Sequence, residues 1–324
     1  MNMKRKLVLL MLPALMLSGC TILNNNSESD KVDPEDASYR PTIVIKEEQK
    51  GEEITSEQAE TMIEDIKTNL QSRSVKLQSE EEREEMIADC NQFSYDMKVK
   101  MDDYYVLMSN DYSKNDKYMH VGLHAEVPAV DLSKTGYAVS DLPIVEGVED
   151  MEQYTYVNPD SRIVSAHKSV GSGYIIEDGV KKPYEENVRY HEILDESVVF
   201  DDLFEIKLCD ELLFCANQTN AMLQQFEPYD SSYSGGGKSL TYSSSGEGNL
   251  YLEVNLPSTG MKMTALFEDY WLKYEYIHID LRKIKELGVV TDEEMPYNRM
   301  TTEISFDFNK ANVEYPDLSQ YPAL

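Results

Sequence analysis

Positive charge, tryptophan and cysteine are all scarce in this sequence. It holds 30 Lys and Arg residues against 60 Asp and Glu, with one Trp and four Cys among 324 residues. The formal net charge of −30 repels nucleic acids and anionic lipid headgroups, so charge-driven binding to either is excluded. A cation or a basic partner would be attracted, although acidity of this kind most often serves only to keep a surface solvated.

Long apolar runs are also scarce, apart from one near the start of the chain. Lys4, Arg5 and Lys6 precede an apolar stretch from Leu7 to Leu17, which is too short to span a bilayer but fits a signal peptide. Leu17-Ser18-Gly19-Cys20 follows directly. This segment resembles the lipobox of bacterial lipoproteins, although an ordinary signal peptide with a chance Cys, or a short membrane anchor, would give a similar pattern.

The lipobox resemblance implies a signal peptide over residues 1–19, cleavage before Cys20 and lipidation of its thiol. The mature chain would then be lipid-anchored to the outer face of the cell membrane, because two acyl chains suffice for stable anchoring. Cys90, Cys209 and Cys215 remain, and an odd number argues against a disulfide framework. The sequence favours buried free thiols at all three positions, since only a hairpin between Cys209 and Cys215 would permit a bridge.

The next part of the chain predicts a tether followed by helices. Residues 20–54 are rich in Asn, Ser, Asp and Glu and poor in large apolar side chains, so we expect a flexible acidic tether. Apolar residues then recur at helical spacing over 55–72 and 79–92, and Thr55 with Gln58 forms a capping-box pattern. Each helix has one narrow apolar stripe and should lie on a larger surface. A third helix is predicted over 208–226.

From Phe93 onward the period changes to two. Apolar and polar side chains alternate in several stretches, which is typical of antiparallel strands with one buried face: 93–101, 119–127, 250–256, 261–267 and 303–308. Residues 270–281 are bulky on both sides and predict a central strand, whereas 229–248 is rich in Ser, Gly and Tyr and predicts a loop. We therefore expect residues 55–324 to form a single α+β domain.

Two stretches of the chain resemble a known superfamily. Residues 84–99 run a predicted helix directly into the first strand, and Phe306-Asp307-Phe308-Asn309 followed by Pro316 ends the last strand. Both resemble the LolA/LppX-like superfamily of envelope proteins. The resemblance covers the ends of the chain, while 128–150 and 227–248 do not align. It implies an unclosed β-barrel, in which a curved, mainly antiparallel sheet carries helices on its concave face and apolar ligands bind between the two.

Motifs for catalysis or metal binding are incomplete in this sequence. Gly235-Gly236-Gly237-Lys238-Ser239 ends like a phosphate-binding loop, but Ser232 stands where the first Gly is required. His120 and His124 lie four residues apart on a predicted strand, about 13 Å from each other, and cannot share one metal ion unaided. Gly171-Ser172-Gly173 lacks the leading Gly of a nucleophile elbow. We therefore expect no enzyme, no cofactor and no metal site.

The sequence thus favours a membrane-anchored, non-catalytic module that binds a lipid or another apolar ligand between the sheet and the helix 79–92. Met side chains adapt to varied apolar surfaces, and the expected lining is Met97, Met101, Met119, Val121, Met261, Met263 and Phe267. The alternative is a surface adaptor with a solid core and an acidic protein-binding face rich in Tyr, of which there are 22. An envelope hydrolase ranks behind both, and nucleic acid is not an expected partner.

Overall fold

A computed structural model describes residues 39–79, 81–128, 146–177, 180–226, 239–257, 260–286, 288, 291 and 297–324. The predicted signal peptide, Cys20 and residues 20–38 of the predicted tether lie outside the described residues. None of the helices in these ranges combines the length and hydropathy that crossing a membrane requires.

The helices are α1 (Glu47–Lys50), α2 (Ser56–Gln78), α3 (Arg83–Ile87), α4 (Phe200–Phe226) and α5 (Leu281–Glu286). The first seven strands are β1 (Glu52–Glu53), β2 (Gln92–Met101), β3 (Tyr104–Ser113), β4 (Tyr118–Val127), β5 (Glu146–Val157), β6 (Ile163–Glu177) and β7 (Val180–Ile193). The others are β8 (Ser239–Gly246), β9 (Asn249–Leu256), β10 (Met261–Glu268), β11 (Trp271–Asp280) and β12 (Arg299–Asp307). A 3-10 turn spans Leu318–Gln320.

The strands form one twelve-stranded sheet in the order β1-β8-β9-β10-β11-β12-β2-β3-β4-β5-β6-β7. Most neighbours in this order are consecutive in sequence, and the pairings are antiparallel wherever their register is given. The order begins at β1 and ends at β7, so the sheet is open rather than closed into a barrel. The predicted α+β class with an unclosed antiparallel sheet is confirmed.

The chain divides into two compact units, and unit 1 comprises residues 1–72 and 215–291. One face of its strands is apolar, because Leu252 on β9 pairs with Ala265 on β10, and both are fully buried. The thiol of Cys215 on α4 donates to the carbonyl oxygen of Leu272 on β11 at 3.7 Å, which holds α4 against the sheet. On α2, the side chains of Ile63, Ile66 and Leu70 are buried at helical spacing.

The N-terminal segment 39–50 covers the opposite face of unit 1. Ile45 packs against a buried cluster made of Tyr251, Leu266, Tyr274 and Tyr276. The Tyr276 hydroxyl donates to the carbonyl oxygen of Tyr39, and Glu52 of β1 pairs with Ser244 of β8. Residues 39–53, predicted as the end of a tether, are therefore part of unit 1, because a few apolar and aromatic contacts dock them on the sheet.

Unit 2 comprises residues 73–214 and 292–324 and contains β2–β7 and β12. The first part of α4 covers one face of these strands, where the Phe214 ring lies 5.3 Å from that of Tyr95. The C-terminal segment 312–324 lies on the other face: the N–H of Asn312 donates to Asp111 at 2.6 Å. We call these the helix face and the tail face of unit 2.

The C-terminal residues also reach the edge strand β7. The backbone N–H of His191 donates to the carbonyl oxygen of Pro322, and the N–H of Leu324 donates to that of His191. A parallel bridge joins His191 to Ala323. The end of the chain thus pairs with one end of the last strand of the sheet.

Several predicted boundaries change in the structure. The predicted capping box forms, with Thr55 N–H donating to the Gln58 side chain at 2.9 Å. Its helix α2 extends past residue 72 to Gln78, because Leu77 continues the buried stripe. The predicted helix 79–92 shortens to α3, since Gln92 already belongs to β2.

Most of the predicted strands are confirmed, whereas one predicted loop is partly a strand. The six predicted strands at 93–101, 119–127, 250–256, 261–267, 270–281 and 303–308 are confirmed, and none of their ends differs by more than four residues. Part of the predicted loop 229–248 is instead the strand β8, while 227–238 lies outside the described residues. No disulfide joins Cys90, Cys209 and Cys215, of which the last two are buried and Cys90 is half-buried.

Candidate ligand-binding face of unit 2

One cross-strand row on the helix face is apolar and incompletely covered. The register aligns four side chains, one from each of β2, β3, β4 and β5: Met97, Met108, Leu123 and Met151. Residues opposite each other in neighbouring strands point to the same face and are in contact distance. Met97 is buried, whereas the other three are half-buried. We call this set the Met row.

The neighbouring row, two residues further along each strand, is mostly polar. It contains one residue from each of β2 to β7: Tyr95, Asn110, Val121, Gln153, His167 and Tyr190. Because two residues of a strand advance about 7 Å, polar and apolar groups are close neighbours on this face. We call this set the polar row. An apolar surface beside a few convergent polar groups is the usual composition of a ligand site.

Helix α4 lies diagonally over this face. Near its start, Asp201 is paired with Lys117 in the turn between β3 and β4, and Glu205 lies 3.5 Å from Lys114. Further along, Glu211 is bonded to β3 and Phe214 packs on β2 and β12. The helix therefore moves away from β4 and β5 as it advances, which leaves the Leu123 and Met151 side chains half-buried.

Glu211 is the most unusual polar group beneath the helix. One of its oxygens, Oε1, accepts two hydrogen bonds, from the Tyr112 hydroxyl at 2.7 Å and from the Asn110 amide at 3.0 Å. Burial, only partly offset by these two bonds, raises the pKa of the Glu211 carboxyl above its usual range. Burial and the charge of Glu211 likewise raise the pKa of Tyr112.

Asn110 completes this group. Its residue is 3% exposed, and its amide nitrogen is committed to Glu211. Its Oδ1 atom has no hydrogen-bond partner among the described residues. Because an unpaired buried acceptor costs about 1–3 kcal/mol, such atoms are rare and call for a physical explanation.

A Ser–His pair occupies the next part of the same face. The hydroxyl of Ser165 and Nε2 of His167 lie 2.8 Å apart on β6, and the His167 ring stacks on Tyr190 at 4.8 Å. Burial lowers the pKa of His167, so its imidazole is neutral at pH 7. A hydroxyl that contacts a neutral imidazole in this way is the arrangement of a nucleophile and its general base. The pair sits in the middle of a strand with Ser165 buried, a setting that suits packing better than attack on a substrate.

The tail face carries the two histidines singled out in the sequence. His120 lies 2.5 Å from Glu152 and 3.8 Å from Asp111, and its ring stacks on Tyr154 at 4.7 Å. Burial opposes its charge, but these carboxylates raise the pKa of His120 to about 9. His124 binds a different carboxylate, Asp150, at 2.7 Å. Each imidazole therefore has its own acidic partner, and both lie on the face opposite the Met row.

The predicted lining residues fall into two groups. Met97 belongs to the Met row and Val121 to the polar row, while Met119 and Met101 lie on the same face in flanking rows. Met97 and Met119 are buried, whereas Val121 and Met101 are half-buried. The structure thus places these four on one face of unit 2.

The other three predicted residues, Met261, Met263 and Phe267, lie on β10 in unit 1. Their exposed fractions are 7%, 1% and 0%, so in the structure they are part of the core of that unit. Their role in binding stays a prediction. The predicted cover of the site, the helix 79–92, is replaced on the helix face of unit 2 by α4.

No protein-family model matches the chain, and no curated protein matches it significantly. The resemblance to LolA/LppX-like proteins stays a prediction.

Several residues of this site escape analysis of the sequence. Met108 and Asn110 lie on β3, where Tyr105 and Leu107 on the opposite face are also large and apolar, so no alternation is visible. Glu211 follows Asp210 between Leu208 and Leu212 on a helix, where two acidic residues would be expected on the surface. A buried carboxylate there has no sequence signal, because only the fold shows which side of α4 meets the sheet.

Proposed function

We propose that this chain is a membrane-anchored extracytoplasmic lipoprotein that holds a lipid or another apolar ligand on the helix face of unit 2, without catalysis. The observation that carries the proposal is the Met row, where Met108, Leu123 and Met151 are half-buried in the middle of a sheet face. Contiguous apolar side chains that stay partly exposed on one face mark ligand-binding grooves and interaction sites. Residues 4–20 support the anchor through their resemblance to a lipobox.

The energy available at this row is adequate for binding. Complete burial of a Met or Leu side chain stabilises by about 1.5–3 kcal/mol. Because no more than about a third of each of the three half-buried side chains is exposed, finishing their burial contributes at most about 1.5–3 kcal/mol in total. The ligand gains about 0.8 kcal/mol for each of its own buried CH₂ groups. A chain of moderate length therefore supplies the roughly 8 kcal/mol of a micromolar complex after association costs.

The experiment is uptake of Nile Red, a neutral fluorescent probe of apolar surfaces, by the purified full chain. Leu123→Gln places an amide in the Met row and should weaken probe binding about fivefold or more, because about 1 kcal/mol of apolar contact is lost. The matched control is Val148→Gln, on neighbouring β5 but pointing to the tail face, where Val148 is 40% exposed. Both variants should unfold cooperatively.

Equal loss in both variants, or no change in either, would show that the Met row does not bind the probe. Absence of uptake by the unmodified chain would remove the binding proposal and favour the adaptor function instead. Exposed apolar side chains at the β6–β7 end of the sheet are available to that alternative on both faces. Val180 (57% exposed) and Val188 (45%) lie on the helix face, and Tyr174 (39%) and Ile193 (51%) lie on the tail face.

A further inference from the structure

The polar groups next to the Met row include hydrogen-bond acceptors to which no described group donates. Glu211 Oε1 accepts two hydrogen bonds, but among the described residues no hydrogen bond reaches its second oxygen, Oε2. Asn110 Oδ1 has no partner in the same part of the chain. One buried acceptor, Asn110 Oδ1, and one oxygen of the half-buried Glu211 carboxyl are thus available within one cluster. Tyr112 and the Asn110 amide both donate to Glu211, and the Asn110 side chain is also hydrogen-bonded to Tyr95.

The orientation of Asn110 follows from its contact. An amide nitrogen facing a carboxylate donates to it, whereas the flipped amide would set oxygen against oxygen. The acceptor Oδ1 is therefore the atom left unpaired. No basic side chain is hydrogen-bonded to Glu211 in the described ranges; Lys207, whose charge opposes the rise in the Glu211 pKa, is exposed on α4. Among the described residues, the cluster therefore has no cation hydrogen-bonded to its carboxylate.

We infer that the ligand on the helix face carries an ammonium group that donates hydrogen bonds to Glu211 and Asn110 while its apolar chain lies on the Met row. This inference rests on the proposed function and names the class of ligand: a cationic amphiphile. An ammonium supplies three donors and one positive charge, which match the two unused acceptors and the carboxylate.

The spacing of the two rows fits such a molecule. Asn110 and Met108 are two residues apart on β3, about 7 Å along the strand. A head group at Asn110 thus leaves the first few carbons of its chain directly above Met108, Leu123 and Met151. The net charge of −30 also raises the local concentration of cations near the chain.

The test compares decylammonium with decanoate, which have equal chains and opposite charges, as competitors for Nile Red on the full chain at pH 7. Decylammonium should displace the probe at a concentration at least about tenfold lower. Glu211→Gln should reduce this ratio to about threefold or less. Asp210→Asn is the matched control, because it removes the same charge from an exposed neighbour on α4 and should preserve the ratio.

The comparison on the unmodified chain can overturn the inference even if a variant folds poorly. Equal displacement by both competitors would overturn the ammonium site while leaving an apolar binding face in place. An equal fall of the ratio in Glu211→Gln and Asp210→Asn would assign the preference to general charge and overturn the contact. Failure of either competitor to displace a bound probe would overturn the inference as well, whereas absence of probe uptake would remove the proposed function with it.

Discussion

Glu275 offers the sharpest test of the energetics of unit 1. It lies on β11 opposite Ala265, on the apolar face, and is 4% exposed. Among the described residues its carboxyl has no hydrogen-bond or ion-pair partner, and burial alone raises its pKa from 4.5 to about 8. The folded protein therefore keeps Glu275 protonated at neutral pH, whereas the unfolded chain ionises it.

The sign and size of the effect follow from linkage. Between pH 4.5 and pH 8 the unfolded state binds fewer protons than the folded state, so stability falls as pH rises through this window and is level outside it. One unit of pKa corresponds to about 1.4 kcal/mol. Glu275 thus lowers the free energy of unfolding by about 3 kcal/mol at pH 7 and by about 5 kcal/mol above pH 8.

Glu275→Gln keeps the shape of the side chain but cannot ionise. Its free energy of unfolding should equal that of the unmodified protein at pH 4 and exceed it by about 3 kcal/mol at pH 7. Urea unfolding followed by fluorescence of the single Trp, Trp271, reports on unit 1 directly, because this residue lies at the start of the same strand.

Glu253→Gln is the control, since Glu253 is an exposed carboxylate on the other face of β9, two strands away from β11. It should shift stability by well under 1 kcal/mol at each pH. A difference between Glu275→Gln and the unmodified protein that stays constant from pH 4 to pH 8 would refute the reasoning.

Two further predictions concern the tail face and the anchor. His120→Gln should lower the free energy of unfolding by about 3 kcal/mol at pH 6 and by little above pH 10. The reason is that protonated His120, with its pKa raised to about 9, stabilises the fold fully below pH 6.5 and ceases to do so as pH rises through 9. A loss of stability in urea unfolding that does not depend on pH contradicts this. Cys20→Ala should abolish lipid labelling and globomycin-sensitive processing in a bacterial host, and normal processing with membrane retention of the variant would exclude Cys20 as the anchor.

The sequence predicts elements wherever one face alone is apolar. Phe93, Tyr95 and Met97 alternate with Ser94 and Asp96, and β2 was found where this pattern placed it. β3 carries large residues on both faces, so its pattern resembles neither a strand nor a helix. The sequence does not predict β7 for the opposite reason: the exposed, charged side chains of this strand leave almost no apolar face.

The candidate site was predicted in part. Met97, Met101, Met119 and Val121 share the helix face because strand period alone assigns them to it. Which polar residues lie beside them depends on the register between strands and on which side of α4 meets the sheet. Neither is determined by the local sequence. Glu211 on α4 and Glu275 on β11 read as ordinary surface acids in sequence, and only tertiary packing removes them from water.

The outer side of β7, which no strand of the described residues covers, bears on how the protein behaves in concentrated solution. An unpaired strand is a template on which further chains can grow into fibres, and Lys, Glu and Pro oppose such growth. Lys181, Lys182 and Pro183 occupy one end of β7, and the last residues of the chain pair with His191 at the other. A tag fused after Leu324, or cleavage of the final residues, therefore changes the pairing at one end of β7. Resistance to aggregation during storage should depend on these residues more than on changes elsewhere on the surface.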